Sequence, residues 1–217
     1  MGVALQMYVD EHQDKYPFYH GLPDHALDDA VGAINTAFWW AKLLPYYPLK
    51  GTDPAYHCPG YKGVNEGSDQ HSSGWTFAFG SYAYNAKGVV LRPWTTTNGL
   101  LLGLGGRPQR RTLGASSGDH SEGQIAVPSE MFVIGEARWK AQDNDLPGGH
   151  DFMQCGGTTV NRGPWAFDPA RHGKNYNQLF CDGHVGAMSP WVLFNPTNTA
   201  AMWNYDHQPH PEFWPNL

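Results

Sequence analysis

A chain of 217 residues can bury one sizeable core and lies within the single-domain range of β-rich folds. Its formal charge of −6, with no run of Lys or Arg beyond Arg110-Arg111, gives no basic footprint for nucleic acid or anionic lipid. Apolar residues make up 41% and charged residues only 16%, and 26 Gly with 17 Pro enforce frequent turns; long helices are therefore few, and no stretch reaches the roughly 18 apolar residues of a membrane span.

Met1, Leu5, Tyr8, Val9 and His12 recur at three- and four-residue steps, which predicts a helix from residue 1 to about Asp14 that Pro17 stops. The first apolar turn has no capping residue before it, so the segment reads as the tail of a longer helix whose upstream part has been removed. A second helix is expected over about Thr36 to Leu44, with Phe38, Trp39, Leu43 and Leu44 as its core stripe and Pro45 as its end. From Gly51 the pattern changes to short alternating runs separated by Gly, Pro, Asn and Asp. Trp75–Tyr84, Glu130–Ile134 and Tyr176–Met188 are predicted as antiparallel strands, the last folded at Asp182-Gly183 by a two-residue type I′ turn. Gly99–Gly123 and Ala141–Gly163 read as long loops. The expected class is α+β, in one domain over 1–217: helix end at 1–15, head at 16–190 and a C-terminal extension at 191–217.

Three cysteines, Cys58, Cys155 and Cys181, without a CxxC pair exclude metal-ribbon and thioredoxin-type motifs and allow at most one internal disulfide, whose pairing stays open. The 9 Trp, 11 Tyr and 10 Phe either fill the core or form surface platforms, core filling being the commoner use.

His172 is followed after nine residues by Asp182-Gly183, and this run resembles the H-X9-DG motif of prepilin-type, processing-associated proteins. The likeness extends along the chain. Gly2–Asp10 resembles the helix after the family's cleaved anchor, His57-Cys58-Pro59 its Cys-Pro site, Ser81-Tyr82-Ala83-Tyr84-Asn85 its Ser-Tyr-Gly-Tyr-Asn strand, and Pro128–Met131 with Gly135-Glu136 its Pro-Ser strand. The resemblance implies a pilin-like head, with a long N-terminal helix on a small antiparallel sheet, assembled with like pilin or pseudopilin subunits in the periplasm or outside the cell. Membrane attachment would come only through the missing anchor. It implies no catalytic residue and no cofactor. Cys181 departs from the family, where that position is usually small.

His172 and Asp182 would suit a metal or an acid–base pair, but the plainer reading is a His bonded to a strand end and an Asp that makes a turn. A structural Ca²⁺ is the metal alternative, with Asp143, Asp145, His150 and Asp151 as candidate ligands. The second functional class is a secreted carbohydrate-binding or carbohydrate-cleaving protein. It would use Trp139, Trp165, Trp203 and Trp214 as sugar platforms and two of Glu136, Asp151, Asp168 and Asp182 as glycosidase carboxyls. Burial of the tryptophans favours the structural class over this one.

Overall fold

The computed structural model describes residues 1–17, 39–47, 58–60, 81–85, 88–89, 102–104, 120–136 and 171–213. Ala4, Leu5, Tyr8 and Val9 share one helical face and form the buried side of α1, Gly2–Glu11. This helix ends before the expected Asp14. The His12 ring stacks on Tyr8 at 3.8 Å and its Nδ1 lies 2.8 Å from the Tyr8 carbonyl, while Gln13 and Asp14 both turn left-handed (φ 59° and 60°). The chain thus leaves the helix three residues before the expected end at Asp14 and six before Pro17.

The second helix, α2, spans Trp39–Leu43; residues 36–38 of its expected start lie outside the described residues. Trp39 stacks on Tyr84 (5.6 Å, 16°), and the Tyr46 hydroxyl donates to Glu11 Oε2 at 2.6 Å, which ties the end of α2 to α1.

The strands are β1 Tyr82–Tyr84, β2 Phe132–Glu136, β3 Tyr176–Phe180 and β4 Val185–Met188, in one antiparallel four-stranded sheet of order β1-β2-β3-β4. Residues 75–80 of the first predicted strand lie outside the described residues. Alternation along the strands separates two cores. Tyr84, Ile134 and Leu179 pack with α1 and α2, whereas Ala83, Phe132, Tyr176 and Phe180 pack with Leu193, Phe194, Ala200 and Trp203. The architecture is α+β: a short N-terminal helix and a small antiparallel sheet.

The second layer comes from the region read as an extension. Ser189 and Asn195 cap two one-turn helices, α3 (Pro190–Leu193) and α4 (Pro196–Thr199), each with Pro at its first position, and a 3₁₀ turn Ala200–Trp203 follows. Buried Asn85 links the layers: its Nδ2 donates to the carbonyls of Phe132 (2.8 Å) and Trp203 (3.0 Å), and its Oδ1 accepts from Gly88 N–H (3.1 Å). Leu102 and Leu104, inside the predicted Gly-rich loop, are buried, and Leu104 N–H donates to the Asn85 carbonyl at 2.8 Å. The predicted loop over 141–163 lies outside the described residues.

The β3–β4 hairpin turns at Asp182-Gly183, but by a different turn from the expected one. A type I′ turn needs positive φ at both central residues, and here only Gly183 has it (φ 88°). Gly183 N–H donates to the Phe180 carbonyl, and Phe180 N–H to that of His184, both at 3.0 Å. Cys181, Asp182 and Gly183 therefore form a three-residue loop in which glycine takes the left-handed step. No helix among the described residues is long and apolar enough to cross a membrane.

Candidate functional site

Between Phe132 and Ile134 the β2–β3 register slips by one residue, a bulge at Val133. Both Val133 and Ile134 consequently face the α1 side, and the alternation beyond them is shifted. Glu136 then lies opposite Tyr82, which packs against that same core, instead of on the face that holds Phe132. A glutamate at the end of β2 is thereby buried without any exposed surface.

Three segments converge on this carboxylate. Asn177 N–H, from the start of β3, donates to Oε2 at 2.9 Å, and His172 Nε2 lies 2.8 Å from Oε1. Cys58 Sγ lies 3.0 Å from the same His172 Nε2. The Cys58 N–H is anchored by the buried Ser81 Oγ at 2.7 Å, directly before β1. The ligand-capable atoms of Cys58, Glu136 and His172 all fall within 4.8 Å of one another. His172 reaches inward from a left-handed backbone (φ 40°), flanked by Gly173 and Lys174 at φ 67° and 81°.

Burial, the hydrogen bond to Glu136 and that carboxylate's charge push the Cys58 thiol up to about 11; the Gly60 N–H and the charge of Arg171 act the other way. The thiol is thus held protonated, which is the opposite of an activated nucleophile. A Cys–His–acid relay would also need the thiol and the carboxylate on different imidazole nitrogens. Here both meet Nε2.

The other sequence candidates separate. Asp182 sits in the hairpin turn, accepting from His184 Nδ1 at 2.6 Å and from His184 N–H at 3.1 Å. Asn177, which holds Glu136, stands three residues along β3 from its end at Phe180, about 10 Å of strand, and Asp182 lies beyond that end in the turn. Asp182 is thus held at the opposite end of β3 from the contact between His172 and Glu136. Trp203, expected among the sugar-binding tryptophans, is fully buried and donates its indole N–H to the Leu193 carbonyl and Thr199 Oγ1, each at 3.2 Å. Trp39 is buried as well. Asp143, Asp145, His150, Asp151, Asp168, Trp139, Trp165, Trp214 and Cys155 lie outside the described residues. Cys58 and Cys181 are free thiols.

Of the resemblance residues, Pro59 is exposed, Tyr84 and Asn85 are core, and Cys58, Glu136 and His172 form the cluster. Sequence reasoning named each of these three but not their meeting. Comparison with family models, curated proteins and solved structures found no match.

Proposed function

We propose that this domain is the head of a pilin-like or pseudopilin subunit, an interaction protein of a bacterial secretion or pilus-type assembly that works in the periplasm or outside the cell. The observation that carries the reading is the two-sided helix α1. Ala4, Leu5, Tyr8 and Val9 are buried against the domain's own core, while Val3 and Met7, one turn apart on the opposite side, are 78% and 44% exposed. Gln6 and Asp10, joined by a 3.1 Å hydrogen bond, share that outer side, and the two exposed apolar side chains beside them suit packing against neighbouring subunits. The burial of Trp39 and Trp203 further favours an interaction subunit over a sugar platform.

The test is photo-crosslinking in the native host, with a photoreactive residue in place of Val3 or Met7. Adducts to like subunits, or to other pilin-type subunits, are expected in the envelope fraction, with none from the same residue at Val192 in the C-terminal layer. Normal expression with no subunit adduct from either helix position rejects the reading.

A further inference from the structure

We propose that Cys58, Glu136 and His172 form a binding site for a divalent transition ion of the zinc type. The inference is independent of the pilin-like reading. Three different donor types, a thiol, a carboxylate and an imidazole, converge from three chain segments, with sequence separations of 114 between Cys58 and His172 and 36 between Glu136 and His172. Sulfur, nitrogen and oxygen in one set match the ligand repertoire of zinc and not that of calcium, which takes only oxygen.

Two features of the cluster favour a cation over a closed hydrogen-bond network. The first is that His172 Nε2 faces both Cys58 and Glu136. One imidazole N–H and one thiol S–H serve two of the three mutual contacts and leave the third without a proton, whereas a cation accepts a lone pair from all three groups at once. The second is outer-shell support. Asn177 N–H holds the second carboxylate oxygen at 2.9 Å and Ser81 Oγ holds the Cys58 backbone at 2.7 Å, so both anionic ligands are positioned from outside the cluster.

Binding is balanced by one proton. The Cys58 S–H bond breaks as the sulfur–metal bond forms and the proton leaves to solvent, so thiolate and carboxylate together offset the ion's two positive charges. Arg171 lies close enough to act on the thiol; its charge favours the thiolate while opposing the cation, and the two anionic ligands outweigh it. Tetrahedral zinc ligands stand about 3.3 to 3.7 Å apart, so the observed 2.8 and 3.0 Å contacts must open by roughly half an ångström. His172, whose side chain is 34% exposed, supplies that movement and leaves a fourth position toward water.

Co²⁺ titration of the full 217-residue chain tests the site, because a cobalt–thiolate bond gives a near-ultraviolet charge-transfer band. The expected result is a band that saturates at one ion per chain, bleaches on Zn²⁺ addition, is absent in Cys58→Ser and needs at least tenfold more Co²⁺ in His172→Asn. Asn tolerates the left-handed backbone at 172, so this variant is expected to fold even where Cys58→Ser does not. A second readout is the thermal midpoint, raised by Zn²⁺ in the wild type and unmoved in His172→Asn. A wild type with neither band nor shift overturns the proposal, as does His172→Asn with undiminished Co²⁺ affinity; a band that survives in Cys58→Ser assigns the ion to another thiol.

Discussion

The two ends of β3 carry the same chemical pair in different surroundings. At its entrance His172 meets Glu136 at 2.8 Å, and at its exit His184 meets Asp182 at 2.6 Å. The shorter contact is the weaker tie. Asp182 and His184 are 37% and 48% exposed and two residues apart, so water screens the pair and breaking it frees no buried group. Glu136 is fully buried and joins segments 36 and 41 residues distant, so its loss releases two long-range ties and leaves a buried site without its acceptor. Distance alone does not rank ion pairs; what each partner faces when the other is removed does.

The comparison is broken most directly at its buried end. Glu136→Ala leaves the Asn177 N–H and the His172 imidazole without their acceptor and is expected to cost about 3 kcal/mol in urea denaturation, with Glu136→Gln costing less because one acceptor oxygen remains. A loss under about 1 kcal/mol for the alanine variant would erase the distinction between the two ends.

At the exposed end the backbone matters more than the charge. Gly183→Val is expected to cost about 1 to 2 kcal/mol through its left-handed φ. An added Cβ meets nothing within 4 Å, so the cost is torsional and Gly183→Asn should recover most of it. Equal losses in the two variants would point to packing instead.

The smallest effect belongs to Asp182→Asn, at most about 0.5 kcal/mol for so exposed a pair. Slight burial raises the Asp182 pKa, but hydrogen bonds from the His184 side chain and N–H outweigh it and hold the group below 3.8. A depressed carboxylate stabilises the fold above its unfolded pKa and loses that contribution as pH falls through the folded one. The difference between wild type and variant should therefore vanish as pH drops below 3.8. A difference that persists at lower pH would mean that Asp182 acts as a turn former without its charge.

The elements that sequence made legible are those with local signals. The three- and four-residue spacing of Leu5, Tyr8 and Val9, the Trp39 and Leu43 stripe, and the β-prone arms around Asp182-Gly183 each state their conformation within a few residues. The end of α1 was not legible, because the His12 ring over Tyr8 competes with a proline signal further on. The C-terminal layer carries a local signal of its own: Ser189-Pro190 and Asn195-Pro196 are both cap-then-proline helix starts, although each helix is too short to show periodicity. The Cys58–Glu136–His172 cluster could not be assembled from sequence. Its geometry depends on the Val133 bulge: with the same residues in strict alternation from Phe132, Glu136 would point to the opposite face.

The three strand pairings differ in how far the chain must travel before each can close, and this sets an order of folding. The β3–β4 arms are joined by a three-residue loop and can zip within microseconds. Pairing β2 to β1 brings together regions such as Asn85 and Phe132, 47 residues apart, and pairing it to β3 joins Glu136 to Asn177, 41 apart. Each of those closures pays chain entropy before any burial rewards it. The hairpin should therefore be a template already formed in the transition state, on which β2 docks late. In kinetic terms, mutations in the turn should slow folding, while mutations at Glu136 should mainly hasten unfolding.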